Sequence, residues 1–378
     1  MPFAAAISEH PVTAHAVGEV IGQVIEEMPG PVELACLFVT PPHGGALEDA
    51  AAAVRAVIGP NVLIGAAAGS VAGPRREVEA SAAVSLWVGS GFPAHGVLIP
   101  PGGLPARPAD MPGPPEALVL VADPYSLDAN ALLAGIGGRF PSLPVIGGLA
   151  SAAVGPGGNR LAVDSRVVSS GAVGVFLGPG SGIRSLVSQG ARPVGRPWVV
   201  TRAEGGVIYE LAGRPALTRL MELVQDYLDP GEIGTINAGG LCLGAVTDER
   251  REEYGPGDFL LLDVVGADRS IGAVAVNGEV ELGRTVQYHL RDAAAADSDL
   301  RYLAAGSAAA AALLFSCNGR GTRLFGGPDH DAEALADSLG EVPLAGMSAA
   351  GEIGPLAGRN RLFGMSASVA LFEEGSRG

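Results

Sequence analysis

Near the C-terminus two apolar runs each end in a short polar segment, and these segments carry the residue types most able to do chemistry. Ser316-Cys317-Asn318-Gly319-Arg320-Gly321 follows the run 312–315, and Ser348-Ala349-Ala350-Gly351-Glu352 follows the run 342–347. Glycines beside an arginine let backbone N–H groups and a guanidinium converge on one anion. If the two runs are neighbouring strands, both tips open on one edge of a sheet, where open α/β sheets bind ligands. Cys317 is a candidate nucleophile if a neighbour holds it as thiolate, with Arg320 as the cation and His289 or His330 as the base. An inert thiol at a strand end is the plainer reading.

Tyr288-His289-Leu290-Arg291-Asp292 stands where a strand should end and a helix begin. Asp292 suits a helix cap, and Arg291 suits a structural ion pair. A more specific reading gives Arg291 or Arg320 a carboxylate to hold and Asp292 or Glu352 an ammonium, the complement of a free amino acid. The candidate ligand-binding residues are therefore Arg291, Asp292, Cys317, Asn318, Arg320, Ser348 and Glu352. The histidines His10, His15, His43, His95, His289 and His330 form neither HxH nor HExxH, so no metal site is expected. Gly178-Pro179-Gly180-Ser181-Gly182 reads as a hairpin turn. No GxGxxG stands in a strand–helix context, so no nucleotide and no other cofactor is expected.

These residues need elements to position them, and the elements recur. Residues 34–40 form an apolar strand, 41–45 a loop, 47–58 a helix, and 62–67 a strand running into the small segment Gly65-Ala66-Ala67-Ala68-Gly69-Ser70; 82–88 is a closing strand. The same order returns at 117–122, 123–126, 127–140, 145–151 and 171–177. It returns again at 312–316, 317–330, 331–339, 342–348 and 366–372. Each copy has a strand ending in a hydrophobic-x-Gly-x-small pattern, and the spacing from Thr40 to Gly65, Asp123 to Gly147 and Asn318 to Gly346 is nearly the same. This reads as internal duplication rather than a solenoid. Around the copies, Val17, Val20, Ile21, Val24, Ile25 and Met28 make a helical stripe over 12–28, and 99–115 is an irregular Pro/Gly connection. Residues 198–211 read as a hairpin about Glu204-Gly205-Gly206, 214–226 as a helix, and 258–288 as strands with Asn277-Gly278 as a hairpin turn. Residues 294–311 read as an Ala-rich helix. The fold class is α/β: mixed β-sheets covered by helices, built from repeated β-α-β-β units.

With 378 residues, the chain has room for about two domains. Hydrophobic residues make up 48% but aromatics only 5%, which favours small-residue packing. The net charge of −16 repels phosphate backbones and anionic lipid, so neither nucleic acid nor membrane is an expected partner. No lysine occurs; all 24 basic residues are arginine. That excludes Schiff-base and pyridoxal chemistry, the P-loop and an ordinary protein kinase. Cys36, Cys242 and Cys317 form no CxxC, which fits a reducing compartment. The N-terminus lacks a basic n-region and the longest apolar stretch, 308–315, falls short of a membrane span, so a cytoplasmic location is expected.

Taken together, the motifs Tyr288–Asp292, Leu314–Gly321 and Gly346–Ile353, in this order and at these spacings, resemble those of the FIST family of sensory proteins. Val200-Thr201-Arg202-Ala203 and Gly213-Arg214-Pro215-Ala216 look like the junction of its N- and C-terminal domains. The resemblance runs from about residue 34 to 372 and implies two FIST-like domains, 1–212 with two repeat copies and 213–378 with one. It further implies a small-molecule ligand, amino acids among the candidates, and a role in signal transduction. The FIST-like part leaves only short ends here, so the resemblance implies that any signal passes to a separate protein partner. Ala66-Ala67-Ala68-Gly69-Ser70-Val71 stands where the family often has a more polar segment ending in Gly-Glu-Ile, which argues against a ligand role for the first copy. The alternatives to a sensor are an interaction scaffold without small ligand and an enzyme using Cys317.

Overall fold

The computed structural model describes residues 2–237, 239–255 and 257–373. They group into two compact units, one made of the residues up to Ser188 together with those from Leu300, the other of Gln189–Asp299.

In the first unit, three apolar runs form fully buried strands, Leu34–Val39, Ala117–Ala122 and, over most of its length, Ala309–Cys317. Such runs are apolar on both faces because both faces are covered. Each pairs in parallel with the second strand of its own copy, Val62–Ala67, Val145–Leu149 or Leu344–Ala349. Each pairs on its other side, antiparallel, with a closing strand, Val84–Gly89, Ala172–Leu177 or Ala367–Glu373. The glycine of the recurring pattern has one physical cause. Gly65, Gly147 and Gly346 stand in register with Leu37, Leu120 and Leu314, and a Cβ at any of them would overlap the carbonyl oxygen of that leucine.

Each sheet has six strands and the same order. An N-terminal edge strand, Phe3–Ser8, Ala94–Ile99 or Ile183–Ser188, lies against the closing strand. The far edge is a hairpin supplied by a different copy. The hairpin of copy two, Leu161–Val163 with Arg166–Val168, completes the sheet of copy one. That of copy three, Glu352–Leu356 with Arg359–Phe363, completes the sheet of copy two. That of copy one, Ser70–Gly73 with Arg76–Glu79, completes the sheet of copy three. The exchange is cyclic, and one central core draws side chains from all three sheets, among them Phe38, Trp87, Val119, Val175, Phe315 and Phe372. The outer faces are covered by the helices Thr13–Glu27 and Leu47–Val57, Ala129–Arg139 and His330–Leu339.

The second unit is a closed antiparallel barrel. Its strands run in the order Ala191–Glu204, Thr285–Arg291, Leu241–Val246, Phe259–Asp268, Ala273–Val276 and Val207–Leu211. Closure comes from the long strand Ala191–Glu204: residues up to Val199 pair with Thr285–Arg291, and those from Val200 pair with Val207–Leu211. Trp198, Tyr288 and Leu223 help fill its interior.

Packing departs from the sequence in several places. The compact division does not fall at 212, because the third copy exchanges hairpins with the first two and packs with them. Pro41–Gly44 is a short helix rather than a loop, its prolines supplying no N–H at the one place a helix needs none. The Ala-rich stretch divides into a helix, Ala293–Ala304, and the strand Ala309–Cys317; alanine has no strong quarrel with a buried strand between small-residue neighbours. Asn277-Gly278 does not close a hairpin, since Ala273–Val276 pairs with Phe259–Asp268 and Val207–Leu211. The glycines at 178–182 carry the chain from one sheet to another, not round a hairpin.

Candidate functional site

Strand Ala309–Cys317 ends at the loop the sequence singles out, and Arg320 turns from that loop into the protein. Its side chain is 0% exposed and that of its partner Asp331 1%. The two form a bidentate pair, Nε to Oδ2 at 2.7 Å and Nη2 to Oδ1 at 2.7 Å. Ser316 donates to the same carboxylate at 2.6 Å. Burial alone would raise the Asp331 carboxyl, but the Arg320 guanidinium prevails and holds it well below the usual carboxylate range. The anion that Gly-Arg-Gly was expected to gather is thus the protein's own.

More of that anionic surface comes from copy one. Its donated hairpin places Glu77 where Oε2 accepts from the Asp331 backbone N–H at 3.0 Å. Glu79 accepts from the backbone N–H of Thr322 at 2.9 Å and from its hydroxyl at 3.1 Å. Burial, then the charge of Asp331, pushes the Glu77 carboxyl up to about 8.

Glu352 opens the donated hairpin of copy three, in register with Gly148, and is 0% exposed. Its Oε2 accepts from the Ser366 N–H at 3.0 Å and hydroxyl at 2.8 Å; Oε1 has no hydrogen-bond partner. Burial pushes this carboxyl up to about 7, against the pull of Ser366 and of the Arg320 charge. Arg320 likewise keeps one buried donor, Nη1, without a partner. The register assigns Val71 and Leu161 to the place of Glu352 in the other two hairpins, and both are buried and apolar. At the place of Cys317 stand Thr40 and Asp123. The buried glutamate is therefore a feature of the third copy.

Cys317 is half-buried at the strand tip. Burial and the Glu352 charge push its thiol up to about 11, which disfavours the thiolate a nucleophile needs. Its Sγ lies 4.0 Å from Met365 Sδ and accepts from the Gly319 N–H at 3.4 Å. Asn318 is exposed and its backbone N–H binds the Ala349 carbonyl at 2.9 Å. Ser348 is a joint between copies: its Oγ accepts from Ser70 N–H at 2.8 Å, and its carbonyl accepts from Ser151 Oγ at 2.6 Å. His330 stacks on Phe325 and meets Asp331 Oδ1 at 3.2 Å.

Arg291 and Asp292 belong to the barrel unit, while the other five candidates belong to the first unit. Arg291 is 7% exposed and binds Asp263 Oδ1 at 2.7 Å and the Gln189 carbonyl at 3.3 Å. Asp292 caps the helix Ala293–Ala304 through the Ala295 N–H at 2.7 Å and pairs with Arg192 at 2.9 Å. His289 is buried against Phe259, and burial pushes its imidazole down to about 4, so it is a neutral core residue. Asp331, Glu77, Ser366 and Met365 were not singled out in the sequence. The doublet of acids around His330 was the visible signal for Asp331; nothing short of the hairpin exchange points to Glu77.

Two surface hollows, about 400 Å³ beside Trp198 and Arg219 and about 180 Å³ beside Val24 and Met28, include none of the polar centre. Among the described residues no cluster of three or more His, Cys, Asp or Glu could hold a metal, and no helix is long and apolar enough to cross a membrane.

A family model described as the FIST N domain matches residues 33–214, and one described as the FIST C domain matches 220–355. The chain is 42% identical over 391 residues to the uncharacterized protein Rv0628c of Mycobacterium tuberculosis strain H37Rv, covering 98% of this chain and 100% of that one. It is 40% identical over 380 residues to the uncharacterized protein Mb0898c of Mycobacterium bovis, covering 96% of each.

Proposed function

The chain belongs to the FIST family, carrying both its N and its C domain, and from that premise of a sensory, ligand-binding signalling domain we propose a specific reading. It is a cytoplasmic sensor of amino acids or related small carboxylates. Its ligand site is the polar centre of the third copy, around Cys317, Arg320 and Glu352, and a separate protein partner takes the signal. We read the boundary at about 212 as dividing two units of sequence rather than two compact bodies.

One observation carries the reading. Arg320 Nη1 and Glu352 Oε1 are buried and without hydrogen-bond partners, and the two groups interact electrostatically. Orphaned polar atoms of this kind are costly, and a zwitterion offers one carboxylate and one ammonium to relieve both. The raised thiol of Cys317 weighs against the enzyme alternative.

The test is a thermal-shift screen against free amino acids and small carboxylates, with Glu352→Gln beside the wild type. A ligand at about 100 times its Kd adds roughly 2.7 kcal/mol of stability. A hit lost in Glu352→Gln supports the reading. A hit that survives moves the site elsewhere, and silence across the screen favours an interaction scaffold.

A further inference from the structure

At the mouth of the polar centre two sulfur atoms face each other, the Cys317 thiol and the Met365 thioether, 4.0 Å apart. Both residues are half-buried, neither sealed in the core nor free on the surface. Met365 holds a left-handed backbone, φ 55°, a conformation that costs energy for a side chain of its size. Gly319 makes room for the contact: a Cβ there would overlap Met365 Sδ and come within 3.6 Å of Cys317 Sγ. The backbone N–H of Gly319 reaches Cys317 Sγ at 3.4 Å. Beneath lies Glu352, fully buried, with Oε1 unpartnered.

The geometry points to a binding site for a soft monovalent metal ion of the copper(I) class, held by Cys317 Sγ and Met365 Sδ with Glu352 beneath. Thiolate and thioether together select such an ion over harder cations. With metal–sulfur bonds of about 2.3 Å, two sulfurs 4.0 Å apart subtend about 120° at the metal, which leaves room for a third ligand. The step balances without an oxidant or reductant. The Cys317 S–H bond breaks, its electron pair forms the sulfur–metal bond, and the proton passes to solvent water at the half-buried strand tip. The thioether gives a lone pair and the metal keeps its charge. This inference goes beyond the amino-acid reading: it shares Cys317 and Glu352 with that site and adds the Met365 sulfur, which that reading does not use.

The experiment titrates full-length apo protein with copper(I) under anaerobic conditions, and with silver(I) as a redox-inert probe. It reads ultraviolet sulfur-to-metal absorption, native mass and competition against a copper(I) chelator. One equivalent is expected in the wild type. Cys317→Ser should abolish it, although Cys36 and Cys242 remain, because both are buried. Met365→Leu keeps the volume and should weaken binding by at least the tenfold or so that loss of an outer-shell partner costs a metal site. Gly319→Ala should weaken it too, by displacing the thioether. No uptake in the wild type, uptake retained in Cys317→Ser, or unchanged affinity in Met365→Leu would each overturn the inference. If Cys317→Ser does not fold, wild-type protein alkylated at Cys317 replaces it. An amino-acid hit or its absence in the thermal screen leaves these outcomes untouched.

Discussion

Arg320 donates two hydrogen bonds to the Asp331 carboxylate out of reach of water, so each depends on the other more than the fold depends on the pair. Removing one partner of a buried pair leaves an uncompensated charge and costs about 3–5 kcal/mol. Arg320→Ala should therefore lower the urea midpoint steeply, and Arg320→Lys should recover little, since one ammonium cannot span both carboxylate oxygens; full recovery by lysine would refute the bidentate account. The carboxyl groups around the pair also set a pH dependence. Glu352 and Glu77 titrate at about 7 and about 8 in the fold, against about 4.3 in an unfolded chain. Across that window the unfolded chain sheds protons the folded one keeps, so stability falls as pH rises. Asp331 acts oppositely: its contribution is complete above the ordinary carboxylate range and is lost as pH falls through its depressed value. Urea midpoints at pH 5 and pH 8 should show the decline, and Glu77→Gln and Glu352→Gln should shrink it; an equal decline in both variants would rule these groups out. The sequence made Cys317, Arg320 and Glu352 legible because motif residues share strand tips. It concealed Asp331 and Glu77 as the partners because those contacts depend on which hairpin lands on which sheet.

At the scale of elements, the recurring glycine is the clearest test. A methyl group at 346 must displace the backbone of Leu314, and overpacking of a buried strand costs about 1–3 kcal/mol. Gly346→Ala should show a loss of that order, and Gly22→Ala, where a helix glycine has open space around it, should be neutral or stabilising. A similar loss at both positions would mean that close strand approach is not the cause. Long apolar strands and amphipathic helices were readable because burial writes a period or a run into them. The exchanged hairpins were not: Leu161–Val163 and Arg166–Val168 have three residues each, too short for a period. The register that makes Glu352 special is set by a neighbour from another copy.

Taken whole, the first unit cannot be assembled from any single copy. Its third sheet needs the hairpin of copy one, and the sheet of copy two needs the hairpin of copy three. A fragment of residues 1–212 is therefore expected to lack cooperative unfolding and slow amide exchange, while the full chain has both; a protected, cooperative fragment would contradict the cyclic exchange. The barrel of Gln189–Asp299 has its own closed sheet and its own core, and should retain amide protection when Arg320→Ala loosens the other unit. The boundary at 212 was drawn from motifs, and motifs follow descent; compactness follows the hairpins, which no local stretch of sequence reveals.

The hydrogen bond from Ser70 to Ser348 spans 278 residues. On a ribosome adding about 5–20 residues per second, the hairpin at 70–79 waits tens of seconds for the strand it will join. A strand edge left open that long is a template for wrong partners. The hairpin carries Arg75, Arg76, Glu77 and Glu79, and charges on an edge are what keep such a template from being used. Glu77, whose charge later acts on Arg320, and Glu79, which later holds Thr322, would thus guard the nascent chain first, and replacing Arg75, Arg76 and Glu79 with threonine should lower soluble yield more than it lowers the stability of the finished protein.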